Sequence, residues 1–393
     1  MGNISFLIAI LTLITVIITA QSLLLEPEPI IPGGIIYTPY NNYIIFKQSF
    51  FHLKENKDLY QLYPAEHWDY YKYSPTFSLL IAPLAVLPDV LGLFTWNLLN
   101  VLILFFALWK LPHRTDKTRL FVVGFILIEL ITSTQNSQSN GLTAGLIIFA
   151  FNFLERKRIA LASLFILFTI FIKLFGLVAI ALFIFYPNKL KAAIYTIGWF
   201  LLFAILPLSV ISITQLSFLY QSWFTLLQND HALFFGLSVQ GWFHSWFGYE
   251  SKQIIVVIGI LLFCLPFLKY KFFNELKFKL FFLSSILIWV VIFNHKAESA
   301  TFVIAITGVA IWFFFQQIKI GNAMLLVATF ILTILSPTDM FPKSIRDNYV
   351  IPYVLKAIPC ILIWVKITLD LLFYKSENHH PASGMVDIKI TST

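Results

Sequence analysis

Charge is what this chain has least of. Asp, Glu, Lys and Arg make up 12% of its 393 residues, against roughly 25% in soluble domains, which excludes an ordinary water-soluble enzyme or binding module. Cysteine is nearly absent: Cys264 and Cys360 both lie inside apolar runs and supply neither a metal set nor a disulfide framework. HExxH, phosphate-binding P-loop, GxSxG and Cys/His ligand spacings are missing. Zincins, transport ATPases and serine hydrolases built on those motifs are therefore excluded, and no metal or cofactor is expected. No repeat recurs at solenoid periods. The apolar run 4–25 has no basic region ahead of it and is too long for a typical signal-peptide core, so it reads as a retained first span.

What is there is apolar. The chain is 59% hydrophobic and 17% aromatic, with mean hydropathy +0.83 and runs recurring from Phe6 to Tyr374. This predicts an all-α polytopic membrane protein with one integral-membrane domain over 1–374 and a disordered cytoplasmic tail at 375–393. The net charge of +8 takes its meaning from where the basic residues fall. Short clusters at 110–119, 155–158, 188–191, 269–279 and Lys319 hold most of them, which marks these turns as cytoplasmic. The opposite connections, 26–73, 212–250, 294–300 and 337–349, mix both signs and are rich in Trp, Tyr and His, as suits an outward face. The basic excess thus sets orientation; membrane lipids, not nucleic acid, are the expected surroundings. About twelve crossings result, with both termini inside. Eleven is the alternative, if 159–172 and 174–186 form one span. Keeping the basic turn 188–191 inside favours a hairpin with Lys173 near its outer apex.

The first outward connection carries the densest polar and aromatic stretch of the chain, Tyr37 to Pro88. Within it, 43–53 has apolar residues at helical spacing with Lys47, Gln48 and Lys54 interspersed, predicting an amphipathic helix in the membrane interface. The segment 75–87 begins with proline, ends just before another and is too short to span, predicting a half-buried or re-entrant helix.

A carboxylate set among aromatic rings is desolvated toward general-base work. Asp69 and Glu66, beside Trp68, Tyr70 and Tyr71, therefore rank ahead of Asp58 in the wetter ENKDLY turn. Glu129, inside the apolar FILIELIT, is either a substrate contact or a carboxylate that reaches the interface or pairs with Lys173. Gln135, Asn136, Gln138 and Asn140 offer uncharged hydrogen-bonding groups that suit sugar hydroxyls or the capping of two helix ends. His295, Glu298 and Ser299 share a helical face beside Lys296, forming either a lipid-phosphate site or an interfacial anchor. Gln240 lies with Asp230, His231 and His244 in a Trp- and Phe-rich connection that is either a sugar platform or an aromatic belt.

The run from Tyr71 to Asn100 (Tyr-x-Tyr-Ser-Pro-Thr-Phe, Ala-Pro-Leu-Ala-Val-Leu-Pro, Leu-Phe-Thr-Trp-Asn-Leu-Leu-Asn) resembles glycosyltransferase family 87, polyprenyl-phosphate-sugar-dependent enzymes of the GT-C superfamily. Less specific likenesses extend it. Gln138-Ser139-Asn140 resembles a Gly-Gln-x-Asn turn with Ser137 in the glycine's place. Leu237-Ser238-Val239 resembles a Gln-Ser-Leu loop, while Lys173 and His295 resemble a lysine and a late histidine of the family. The resemblance implies a GT-C-like multi-span helical fold in a bacterial plasma membrane, with the site facing outward. It implies inverting transfer of mannose or another hexose from a polyprenyl-phosphate donor to a lipid or glycan acceptor, with a loop-one Asp as base. Asn42, Tyr71, Tyr73, Gln138, Asn140, Lys173, Ser238 and His295 would then face substrate. Where the family has that Asp, this sequence has Asn41-Asn42, and an amide cannot take a proton. Either another loop-one acid serves, or the chain is a lipid-linked-sugar transporter or a non-catalytic scaffold.

Overall fold

A computed structural model of the chain describes residues 4–29, 36–112, 115–229 and 234–376; the tail expected to be disordered lies almost wholly outside the described residues, as do Asp230 and His231. The described chain is helical apart from a two-residue antiparallel pair, β1 (Glu28–Pro29) with β2 (Ile36–Tyr37). Helix α1 (Ile4–Leu24) has 21 residues, most of them apolar, about 31 Å of helix, enough to cross about 30 Å of hydrocarbon. The loop-one elements follow: α2 (Asn41–Lys54), α3 (Pro75–Leu80) and α4 (Ala82–Ala85). Helix α3 starts where Ser74 Oγ caps Phe77 N at 3.2 Å and Pro75 fills the first helical position, where no backbone donor is needed.

Helix α2 spans the expected amphipathic segment, but its apolar side is already taken. Tyr43, Phe46, Phe50 and Leu53 are buried against α3, α4 and the helix that follows, α5 (Asp89–Trp109), in a core of their own. Lys47 ties α2 to the first turn of α5 through Asp89 at 2.5 Å.

Then come α6 (Asp116–Gln135), α7 (Asn140–Glu155), α8 (Ile159–Ile172) and α9 (Gly176–Ala179), the last prolonged as 3-10 helix through Phe185. The pair α8 and α9 is a hairpin. A Cβ on Gly176 would lie 2.7 Å from Ile170 N, so only glycine lets the returning strand of chain touch α8 this closely. Tyr186 Oη then donates to Glu155 Oε1 at 2.5 Å, back at the end from which α8 left. The hairpin expected from the basic turns is thus present, with Lys173 at its far apex.

The remaining helices are α10 (Lys189–Ile205), α11 (Ile213–Asn229), α12 (Val239–Phe247), α13 (Lys252–Cys264), α14 (Leu276–Ile292), α15 (Phe302–Phe314), α16 (Ile320–Ala328), the single turn α17 (Lys343–Ile345) and α18 (Ile358–Leu372). Two elements differ from expectation. The connection 212–250 is largely helical in α11 and α12, and the last apolar run, which reads from the sequence as a span over 351–374, is helical only from Ile358 because 351–357 is turn, with Val354 at φ +53°.

Helices α14 and α15 are apolar on every side and buried along nearly their whole length, as befits central helices. Across their contact a Cβ on Gly308 would lie 2.8 Å from Ser284 O, the small-residue approach by which membrane helices pack. Helices α1, α10 and α13 carry exposed apolar faces, Cys264 among them, as expected of lipid-facing positions. Cys360 is in the core. Five helices among the described residues are long and apolar enough to cross a membrane, with shorter apolar helices between them. The protein is a polytopic helical membrane protein.

Candidate functional site

At the hairpin-apex end, the connections close around a cavity of about 530 Å³. Loop one contributes Asn42, Asp69, Lys72 and Tyr73; the α6–α7 turn gives Gln138; the hairpin apex gives Lys173. Asn294, His295, Lys296 and Glu298 come from the α14–α15 connection. An apolar wall is made by Leu174, Phe175, Trp223, Phe224 and Leu227. Polar groups on one side and hydrocarbon on the other suit an amphiphile, with a polar head and an apolar tail.

Each polar wall has a local cause. Trp96 and Asn100, inside the run that resembles the family, do not face the cavity; they build the turn that does. Trp96 Nε1 donates to Ser137 O at 2.8 Å, and Asn100 Oδ1 accepts from Leu142 N at 2.9 Å. Ser137, in the glycine's place of the resemblance, has φ +50°, the left-handed region that glycine favours. From this turn a directional chain of hydrogen bonds runs across the cavity floor. Lys173 Nζ donates to Asn140 Oδ1 (2.7 Å), Asn140 Nδ2 to Gln138 Oε1 (2.6 Å) and Ala300 O (2.9 Å), and Gln138 Nε2 to Glu298 Oε2 (2.8 Å). Glu298 also caps the turn Ser299–Thr301 that leads into α15. Lys173 lies in the three-residue connection between α8 and α9, and burial pushes its ammonium down to about 8 while Glu298 opposes the shift.

Asp69 is half-exposed to the cavity, with φ +77°, a conformation that Asp tolerates better than most residues. Its Oδ1 accepts from Tyr70 N at 2.7 Å and lies 3.0 Å from Lys72 Nζ. Nearby, His67 is buried, and that burial lowers the pKa of its imidazole.

The other expected site residues lie elsewhere. Glu66 Oε2 sits 2.9 Å from His52 Nε2, and neither residue lines the cavity. Asp58 accepts from Ser222 Oγ at 2.9 Å and Gln61 Nε2 at 3.0 Å, joining loop one to α11. Tyr71 is buried beneath Tyr73, donating to Ser74 O at 2.8 Å. Ser238 caps α12 by accepting from Gly241 N at 3.1 Å, and Gln240 Nε2 donates to Phe293 O at 3.0 Å, so both support the His295 connection from behind. Glu129 pairs neither with Lys173 nor with the cavity: it is fully buried 2.6 Å from Lys356 Nζ, a partner 227 residues away that also donates to Thr333 O at 2.9 Å.

Lys72 and Asn294 are lining residues that the sequence did not single out, while Trp223 and Phe224 come from the Trp- and Phe-rich connection read as either a sugar platform or an aromatic belt. Lys72 sits inside the Tyr71–Tyr73 motif, which was a usable signal. No group of three or more His, Cys, Asp or Glu among the described residues is arranged to hold a metal ion.

No curated protein matches this chain. The model of glycosyltransferase family 87 matches residues 71–337, more than half of the sequence, from the loop-one motif through the hairpin and the His295 connection. With that match over the segments that enclose most of the cavity, the chain belongs to glycosyltransferase family 87 and is an integral-membrane glycosyltransferase.

Proposed function

We propose that this protein transfers a hexose, mannose in the first instance, from a polyprenyl-phosphate donor to a lipid or glycan hydroxyl with inversion, on the outward face of a bacterial plasma membrane. The observation that carries the reading is one cavity lined by a half-exposed carboxylate, a cluster of basic side chains and an apolar wall: Asp69, then Lys173, His295 and Lys296, then Phe175, Phe224 and Leu227. Asp69 accepts the proton of the attacking hydroxyl. The hydroxyl oxygen bonds to the anomeric carbon as the bond from that carbon to the phosphate oxygen breaks. The bonding pair leaves with the lipid phosphate, whose charge the cations hold. Asn42, Gln138, Asn294 and Glu298 offer hydrogen-bonding partners to sugar hydroxyls, Tyr73 offers a ring face, and Lys296 extends the phosphate site. The apolar wall receives the first isoprene units.

Twelve crossings with both termini inside fit this arrangement, because every polar cavity residue then falls on an outward connection. Glu66 and Asp58, engaged by His52 and Ser222, hold loop one in place. Asn140, Tyr71, Ser238 and Gln240 support the residues that touch substrate, and Glu129 serves the helix packing.

The deciding experiment is transfer by purified protein in lipid nanodiscs from polyprenyl-phosphate mannose to membrane-lipid acceptors, with product anomers assigned by NMR. Loss of transfer in Asp69→Asn with donor binding retained supports the reading. Full activity in that variant overturns the assignment of the base, and donor translocation without transfer favours a transporter.

A further inference from the structure

Asn41 and Asn42 stand together at the first turn of α2, and each spends its side-chain amide on the backbone of a different cavity wall. Asn41 Nδ2 donates to Trp68 O at 2.7 Å while its Oδ1 accepts from Trp68 N at 2.9 Å. Asn42 Nδ2 donates to Asn136 O at 2.9 Å, two residues before Gln138. We infer that this pair of amides is the positioning device of the site, with Asn41 fixing Asp69 and Asn42 setting its distance from the Gln138 turn. The inference rests on the reading of Asp69 as the base.

The geometry of the Trp68 contact makes the argument. Two hydrogen bonds to the N–H and C=O of one residue fix the orientation of that residue's backbone, including the rigid peptide plane between Trp68 and Asp69. With that plane held, the direction of the Asp69 side chain follows from its φ, which is +77°. Aspartate tolerates a left-handed φ better than most residues yet adopts it in a minority of cases, and its neighbours here hold it there. Asn41 supplies the hold, Tyr37 packs its ring 5.4 Å from that of Trp68, and Asp69 Oδ1 closes on Tyr70 N at 2.7 Å.

Only an amide of this length meets both requirements at once. An ionised carboxylate accepts from Trp68 N but has nothing to donate to Trp68 O. Aspartate at 41 would therefore break half of the clamp and set a second negative charge beside Asp69. Asn42 extends the logic: its bond to Asn136 O ties α2 to the end of α6, so one helix start spaces the carboxylate wall from the amide wall.

The test uses the full chain in nanodiscs, with Asn41→Ala, Asn41→Asp and Asn42→Ala compared to wild type. Hydrogen exchange read by mass spectrometry reports the walls directly. Asn41→Ala is expected to speed exchange at 68–70 by roughly tenfold or more, and Asn42→Ala at 136–138, with α14 unchanged in both. In transfer from polyprenyl-phosphate mannose to a membrane-lipid extract, Asn41→Ala is expected to lose about 100-fold in kcat with donor KM within about threefold, the signature of a misplaced reacting group. Asn41→Asp, which keeps the acceptor for Trp68 N and loses the donor to Trp68 O, is expected to fall between wild type and Asn41→Ala in both readouts.

Unchanged exchange at 68–70 in Asn41→Ala overturns the clamp, and kcat within about threefold of wild type overturns its role in positioning. If Asn41→Ala does not fold, Asn41→Asp decides through the same two readouts. If wild type itself transfers nothing from this donor, the functional reading falls separately, and exchange at 68–70 and 136–138 still supports or overturns the clamp.

Discussion

Two carboxylate–lysine pairs in this protein invite opposite uses. Glu129 and Lys356 meet at 2.6 Å with side chains 0% and 4% exposed, Glu129 on α6 and Lys356 on the turn that precedes α18. Asp69 and Lys72 meet at 3.0 Å with side chains 48% and 32% exposed, on the wall of the cavity. The first looks more like a site from sequence, since an ionisable residue in an apolar run is rare and costly. Lys356 pairs with one of the Glu129 carboxylate oxygens, and neither residue lines the cavity. The second sits in an ordinary polar loop, and what distinguishes it is the company brought from other connections. The difference shows that burial measures how much a charge needs a partner, while access to a cavity shared with other polar groups measures what it can do.

The largest expected effect breaks the cavity pair. Asp69→Asn removes the proton acceptor and keeps the shape, so turnover falls by about 10²–10⁴-fold while the thermal midpoint stays near wild type. Equal transfer rates in the two proteins would reject Asp69 as base.

Breaking the closed pair has the inverse pattern. Glu129→Ala leaves Lys356 buried without its counter-charge, at a cost of about 3–5 kcal/mol in stability. Transfer per folded molecule stays near wild type. Unfolding in detergent, read with the specific activity of the surviving fraction, checks both halves. A stable but inactive Glu129→Ala protein would make this pair part of the site.

Lys173 stands between these extremes, buried yet facing the cavity. Its pKa is lowered to about 8 by burial, so the cation that holds a phosphate is present below that pH and is lost above it. Donor KM is therefore expected to rise as pH passes through about 8. Lys173→Arg, which stays protonated throughout, is expected to remove that limb. A donor KM flat to pH 9.5 in wild type would show that Lys173 does not hold the anion.

Much of this was legible because it depends on local composition. Apolar runs gave the helices, basic turns gave the hairpin with Lys173 at its apex, and proline at 75 and 88 bounded a short segment expected as one helix, which the structure divides into α3 and α4. Asp69 and Glu66 stood out together by their aromatic neighbours, and of the two only Asp69 lines the cavity. What stayed hidden depends on tertiary pairing. No local pattern tells that Glu129 meets Lys356 rather than Lys173, or that Asp58 is claimed by Ser222 from α11. The Asn41–Asn42 departure was legible only as the loss of a carboxylate; its use as a backbone clamp needs the position of Trp68.

The smallest expected effect sharpens the comparison with a third pair, His52 and Glu66, whose side chains are 4% and 31% exposed and line no part of the cavity. Glu66→Gln keeps a hydrogen-bonding group at the same reach, so at pH 8 the loss is within about 1 kcal/mol, as for partly solvated pairs in general, and transfer stays near wild type. The pH dependence carries the information. Burial lowers the pKa of His52, and Glu66 opposes that shift. A depressed histidine favours the folded state while neutral, so its contribution is present above the unfolded value near 6.5 and is lost as pH falls below it. Glu66 softens that loss by stabilising the protonated ring. Glu66→Gln should therefore separate from wild type more at pH 5.5 than at pH 8 in thermal unfolding, with no matching change in kcat. If kcat falls with the substitution instead, Glu66 contributes to the chemistry and the boundary drawn at the cavity wall is in the wrong place.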